Sequence, residues 1–319
     1  MRIGFCGSTS NFSLNILIYI IQKNIVPKII LIKEDKKNGR GLKKNYSRIK
    51  KIALFYNIFL LQPNKLDKKF FLHIKQLNID IIFIAGYGKI IPYYFFYNIR
   101  LGFFNLHPSL LPKWKGSSPI EHSINSGDIL IGLTILQLDK KVDSGFIFLQ
   151  SSFKVKIFKD YFILLEKYLS IMGFLLLKNF IFYFFKNYRN LLFHIQQNNK
   201  TYIKYAKKLK KKNTFLNWNT DRTSLLLKIN AFSNYPGVFT RIENKFIKVL
   251  HAVPCNNYRD NKFFLPGYIL KIKRYGIIVR CSNGFIMINK IQIPGRKEIH
   301  FNKYMNNYSK IIKEHMCFY

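Results

Sequence analysis

The run Ile79-Asp80-Ile81-Ile82-Phe83-Ile84-Ala85 constrains the fold of this chain more than any other stretch. Every residue but Asp80 is apolar, and isoleucine dominates. The run is too short for a core helix and lacks the polar alternation of a strand with one wet face. It therefore reads as a strand buried on both sides. Such a strand needs cover above and below, and the preceding sequence supplies it. Residues 2–6 read as a strand, and in the following Gly7-Ser8-Thr9-Ser10-Asn11 either Ser10 or Asn11 is placed to cap a helix running to about Lys23. Further strands are expected at 26–32 and 59–62, and helices at 47–56 and 68–77. This alternation predicts an α/β domain on a doubly wound sheet with right-handed crossovers. Gly7-Ser8-Thr9-Ser10 is not a G-x-G-x-x-G and no acidic ribose partner follows it, so a nicotinamide cofactor is not expected.

The next strand carries the candidate chemistry. In Phe104-Asn105-Leu106-His107-Pro108-Ser109-Leu110-Leu111-Pro112-Lys113-Trp114-Lys115-Gly116, Asn105 and His107 alternate, so both leave an extended segment on one face. Pro108 ends the ladder, and 109–112 make a stiff turn at the carboxyl end of the strand, where open α/β sheets place ligands. With only 15 acidic residues in the chain, a carboxylate near this pair is informative. Asp143, in the turn Lys141-Val142-Asp143-Ser144-Gly145, would bond one imidazole nitrogen and raise the basicity of the other. Asp128 and Asp139 compete with it by spacing.

A helix is expected at 117–126, strands at 130–138 and 146–155, and a long apolar helix at 160–187. Within that helix, 168–185 approaches spanning length, but Lys178 interrupts it and Glu166, Lys167 and Lys186 flank it, so a buried helix and no membrane contact are expected. The first domain is thus placed at 1–188 and a polar linker at 189–206. Over 207–314, a helix at 223–231 and short strands near 245–249, 267–272, 276–281 and 285–291 suggest a small β-barrel.

The formal charge of +38, from 53 Lys+Arg against 15 Asp+Glu, favours a polyanionic partner, nucleic acid first. Lysine is spread along the whole chain together with Asn, Ile, Phe and Tyr, as a biased coding composition also produces. Cys6, Cys255, Cys281 and Cys317 form no C-x-x-C pair, so neither a zinc site nor a disulfide framework is expected, in keeping with the cytoplasm. Because the sequence as given opens on a strand, no signal peptide is expected.

Asn105-Leu106-His107-Pro108-Ser109-Leu110-Leu111-Pro112, with Trp114-Lys115-Gly116 and Pro119-Ile120, resembles the signature of the folate-dependent formyltransferases. Gly132-Leu133-Thr134-Ile135 followed by Asp143-Ser144-Gly145 is similar to that family's second signature. The resemblance implies that Asn105, His107 and Asp143 are catalytic. It also implies that Ser109, Leu110, Leu111 and Pro112, with Tyr87, Gly88 and Ile90, line a pocket for 10-formyltetrahydrofolate, and that no metal is needed. The implied fold is a Rossmann-like domain followed by an OB-like barrel. In the second half, Tyr205-Ala206-Lys207-Lys208-Leu209, Asn217-Trp218, Ala231-Phe232, Tyr235-Pro236-Gly237, Pro266-Gly267 and Pro294-Gly295-Arg296-Lys297 resemble the carboxyl-terminal domain of the family members that act on methionyl-tRNA.

That second resemblance implies initiator methionyl-tRNA as the acceptor, a tRNA-binding barrel and a monomeric enzyme. It further implies a tRNA-contacting loop at 36–44, in which Arg40 matches the key arginine and Lys37, Lys43 and Lys44 add charge. Three departures from the family pattern stand out: Lys113 and Lys115 replace arginines, Phe146 replaces an acidic residue, and Ser8-Thr9-Ser10 replaces a Thr-Pro. None of them touches the Asn/His/Asp set. Transfer to a free small amine is the alternative, and it would leave 201–305 and the Arg40 loop without a purpose. An RNA-binding protein with a relict enzyme domain is the reading from another class, and the intact set weighs against it.

Overall fold

A computed structural model describes residues 1–35, 37–38, 43–44, 46–155, 161–187, 196, 202–258, 263–301 and 311–319. The chain divides into two units, the first comprising Met1–Ile120, Ile129–Lys156 and Ile163–Lys207 and the second Glu121–Asp128, Ile157–Phe162 and Lys208–Tyr319.

The first unit runs β1 (Ile3–Gly7), α1 (Asn11–Gln22), β2 (Ile29–Leu31), a hairpin of β3 (Lys37–Asn38) and β4 (Lys43–Lys44), α2 (Arg48–Phe55), β5 (Phe59–Leu61), α3 (Lys68–Gln76), β6 (Ile81–Ala85) and β7 (Phe103–His107). It continues with β8 (Lys115–Gly116), α4 (Pro119–Asn125), which passes into the second unit, then β9 (Leu130–Gln137), β10 (Ile147–Lys154), α5 (Tyr161–Asn187) and β11 (Tyr205–Ala206). Seven strands form one sheet in the order β10-β9-β7-β6-β1-β2-β5. The five from β5 to β7 are parallel, whereas β9 is antiparallel to β7 and β10 to β9. The sheet is therefore mixed rather than wholly parallel, because the chain returns from β7 through a loop and the short α4 instead of a full helical crossover.

β6 is buried on both faces, as its composition requires. Ile82 and Ile84 join the core formed with Phe71 and Ile74 of α3, together with Phe95 and Phe103. Phe83 points the other way and meets Phe180 of α5 edge-on at 5.8 Å. The long apolar helix α5 contains a stretch, Phe162–Phe184, that is long and apolar enough to cross a membrane. Its inner face is core: Phe180 lies 4.8 Å from Phe104 and 5.8 Å from Phe148, and Leu165, Leu169 and Leu177 are buried. Buried Glu166 accepts from the backbone N–H of Phe12 at 3.0 Å and from Asn11 Nδ2 at 3.2 Å, placing a carboxylate at the positive end of α1. Ser10, one of the two candidate caps, is the N-cap, accepting from Ser13 N at 3.2 Å.

Most of the linker expected at 189–206 lies outside the described residues. Its last two residues, Tyr205 and Ala206, form β11 and pair in parallel with β8 of the first unit.

The second unit carries α6 (Arg222–Phe232), β12 (Val238–Ile242), β13 (Lys245–Cys255), β14 (Ile269–Lys273), β15 (Gly276–Arg280), β16 (Phe285–Gln292) and β17 (Glu298–His300). The strands order as β12-β13-β16-β15-β14, with β17 beside β16. β13 runs six residues past its expected end and through Pro254, because beyond Val249 it pairs with β16 alone and has an open edge on its other side, where strands tolerate proline. The chain terminus joins the two edges of this sheet. Tyr319 exchanges backbone bonds with Arg241 of β12 at 2.8 and 2.9 Å, while Met316 and Phe318 bond Ile269 and Gly267 at 2.8 Å. Residues 315–319, outside the barrel expected at 207–314, thereby close it.

Candidate active site

Asn105 and His107 share a face because β7 alternates. Phe103 belongs to the core on the α3 side, so Asn105 and His107 leave the sheet on that side, while Phe104 packs beneath α5. Asn105 is half-buried beside Ile84 and Leu136, and His107 is buried beside Thr134.

The turn between β9 and β10 folds back over this pair and delivers Asp143. Its Oδ1 accepts from Asn105 Nδ2 at 3.0 Å, and its Oδ2 accepts from Gly116 N at 2.9 Å and stands 3.6 Å from His107 Nδ1. Of the three carboxylates that spacing left open, Asp143 is the one brought to the pair. Asp139 is exposed and accepts from Lys140 N at 2.7 Å, and Asp128 lies in the loop after α4. Asp143 adopts φ +50°, a left-handed conformation that a non-glycine residue keeps only where its surroundings hold it. Those surroundings are tight. A Cβ on Gly145 would sit 1.9 Å from the carbonyl oxygen of Gln137, and Lys115 Nζ donates to Ser144 Oγ at 3.0 Å. Burial holds the Lys115 ammonium below the ordinary lysine range, partly offset by the Asp143 charge.

The imidazole is bonded differently from the sequence expectation. His107 Nε2 lies 2.9 Å from the carbonyl oxygen of Trp114. A carbonyl only accepts, so Nε2 carries the hydrogen, and in the neutral ring the lone pair sits on Nδ1, facing Asp143. The nitrogen that can take a proton is thus the one beside the carboxylate, and the other is occupied by backbone.

The turn after His107 is braced by Thr134, Gln150 and Ser109, of which only Ser109 is a candidate site residue from the sequence. Thr134 Oγ1 donates to Ser109 O at 2.7 Å and accepts from Leu111 N at 3.2 Å, and Gln150 Nε2 donates to Leu111 O at 3.1 Å and Thr134 Oγ1 at 2.8 Å. Ser109 Oγ closes the turn on Lys113 O at 2.7 Å. Thr134 stood in a recognised motif, whereas Gln150 carried no sequence signal at all.

Leu110, Leu111 and Pro112 line a cavity of about 410 Å³ together with Lys113, Ile147, Gln196 and Tyr202, within the size range of small-ligand sites. Tyr87, Gly88 and Ile90 do not line that cavity. The Tyr87 ring is buried in the α3-side core, and burial pushes its phenol pKa up, whereas Ile90 is exposed. Gly88 has φ +67°, and a Cβ there would lie 2.8 Å from Lys33 Nζ. Of the basic loop, the backbone of Lys37 pairs with Lys44 and that of Asn38 with Lys43, and Arg40 lies outside the described residues. Among the described residues no cluster of three or more His, Cys, Asp or Glu is placed to hold a metal.

Residues 1–167 match the family model described as formyl transferase, and 208–309 that of the formyl transferase C-terminal domain. Methionyl-tRNA formyltransferase of Blochmanniella floridana is 33% identical over 325 residues, covering 99% of this chain and 97% of the relative. The enzyme of the same name from Wigglesworthia glossinidia brevipalpis is 32% identical over 322 residues, covering 100% of this chain and 95% of the relative. Among solved structures, HypX from Aquifex aeolicus in complex with tetrahydrofolic acid superposes with a TM-score of 0.69 at 14% identity, over 98% of this chain and 48% of that one.

Proposed function

The chain belongs to the formyl transferase family, and on that premise we propose that it transfers the formyl group of 10-formyltetrahydrofolate to the α-amino group of initiator methionyl-tRNA. The observation that carries the chemistry is the bridging of Asn105 and His107 by Asp143 at the end of β7. The choice of acceptor is supported by relatives of that name that align over nearly their full length, second domain included.

The folate co-substrate supplies an activated formyl carbon. The apolar cavity beside the turn 109–112 fits a flat heterocycle, with Leu110, Leu111 and Pro112 as walls. The side chains divide the remaining work. Attack by the methionyl amine on the formyl carbon forms a C–N bond and moves an electron pair to the formyl oxygen. Asn105 has one amide hydrogen on Asp143 and a second left for that oxyanion, a donor of the kind worth about 10²–10³ in rate. His107 takes the amine proton at Nδ1, and Asp143 beside it balances the imidazolium charge. The same proton then goes to the departing folate nitrogen as its bond to carbon breaks. The tautomer set by Trp114 thus favours His107 as base over His107 as oxyanion donor.

Arg40, with Lys37, Lys43 and Lys44, contacts the tRNA acceptor end in this reading, and the barrel binds the rest of the tRNA. The enzyme works as a cytoplasmic monomer. Incubation with 10-formyltetrahydrofolate and either charged initiator tRNA or candidate small amines tests the proposal. Transfer to tRNA alone upholds it, transfer to a free amine selects the alternative, and no transfer to either overturns it.

A further inference from the structure

Gln196 stands far from the two signatures, yet it touches the turn that carries Asp143. Its side chain is buried, and its Nε2 lies 3.0 Å from the carbonyl oxygen of Asp143 and 2.9 Å from that of Gly145. An amide nitrogen has two hydrogens, and here both are used on carbonyls two residues apart. Among the described residues these two carbonyls meet no other hydrogen-bond donor. We infer that Gln196 is a positioning residue for the reaction, holding the backbone of the 143–145 turn so that the Asp143 carboxylate stays between Asn105 and His107.

The need for such a clamp follows from the geometry. Two groups fix the Asp143 carboxylate, namely Asn105 Nδ2 and Gly116 N, but neither of them holds its main chain. That main chain sits at φ +50°, in the left-handed region that costs an L residue about 1–2 kcal/mol, less for Asp than for most, so bonds to its carbonyl help to keep it there. Lys115 secures the middle of the turn through Ser144 Oγ, and Gln196 secures both ends. No other side-chain type of this size presents two N–H groups on one nitrogen without a charge. Gln196 also lines the cavity beside Leu110–Pro112, so the same side chain couples the wall of the proposed co-substrate site to the carboxylate.

This inference rests on the proposed formyl transfer, and its test separates the two. Gln196→Met keeps the length of the side chain and removes both donors. Single-turnover formylation at saturating 10-formyltetrahydrofolate is expected to slow at least about tenfold, with KM for methionyl-tRNA changed less than about twofold, the pattern of lost transition-state stabilisation without lost binding of the acceptor. Because the effect passes through Asp143, Gln196→Met in an Asp143→Asn background should slow the reaction by less than about twofold further. A rate near wild type for Gln196→Met, or losses that simply multiply in the double variant, would overturn the inference. If the Met variant does not fold, Gln196→Asn, which withdraws the same two N–H groups by one methylene, must show the same loss in rate at unchanged KM for methionyl-tRNA. Equal rates for the Gln196→Asn variant and wild type would likewise overturn it. Wild-type protein that transfers no formyl group refutes the function itself, whereas active wild type with an unaffected Gln196→Met refutes only the clamp.

Discussion

Replacing Asp143 by Asn tests the centre of the site most directly. The substitution is nearly isosteric and leaves the turn, Gly116 and the Gln196 clamp in place, so the fold should persist. What it removes is a negative charge 3.6 Å from His107 Nδ1, between side chains only 4% and 6% exposed. At an effective dielectric constant of about 20, a unit charge pair at that separation is worth roughly 4–5 kcal/mol, or about three decades in rate if the imidazolium exists only in the transition state. The new amide must also turn its NH₂ toward Asn105 Nδ2 or toward Gly116 N–H, both of which are donors. Asn105 can relieve the first clash by turning over, but then it presents its own carbonyl where an N–H stood. We therefore expect single-turnover formylation of methionyl-tRNA to slow by about 10²–10⁴, with KM for both substrates little changed and Tm within a few degrees of wild type. Rapid-quench measurement at saturating 10-formyltetrahydrofolate gives the rate. A folded Asp143→Asn protein within about threefold of wild type would refute the role assigned to Asp143 and the charge argument with it.

Arg40→Ala should raise KM for methionyl-tRNA far more than KM for the formyl donor, and equal changes in both would count against tRNA contact by that loop. In the second unit, Phe318 is buried and stacks on Trp218 with centroids 5.7 Å apart, inside the segment that closes the barrel. Phe318→Ala should destabilise that unit by about 3–5 kcal/mol, read as a lowered urea midpoint, and an unchanged midpoint would show that the terminal segment is not needed for closure. Acid sensitivity should trace in part to Asp80, whose carboxyl is held below the usual carboxylate range first by the backbone N–H of Arg2 at 2.7 Å and then by Arg100 at 2.9 Å. A depressed folded pKa means stability present above the unfolded value of about 4 and lost as pH falls through the folded one. Wild type should therefore lose more stability than Asp80→Asn between about pH 5 and pH 2, and parallel denaturation curves for the two proteins would contradict this.

The sequence by itself determined what local periodicity controls. The unbroken apolar run of β6 demanded cover on both faces, and it received α3 on one and α5 on the other. Strand alternation put Asn105 and His107 on one face before any partner was known, because side-chain direction in a strand depends only on residue parity. Ser47 and Asp67 cap α2 and α3 for the same local reason, each bonding a backbone N–H three residues on.

The rest was decided by tertiary contacts, to which no periodicity of the chain points. Residue spacing left Asp128, Asp139 and Asp143 as rivals; the fold-back of a turn 38 residues beyond Asn105 brought Asp143 to it. The backbone of Trp114 chose the His107 tautomer, and a glutamine 53 residues beyond Asp143 took hold of its carbonyl. The last five residues, on which no sequence motif fell, became the extended segment whose backbone closes the second unit. In these last three cases the deciding partner is a backbone carbonyl or amide, a group every residue carries, so residue identity alone could not have marked it.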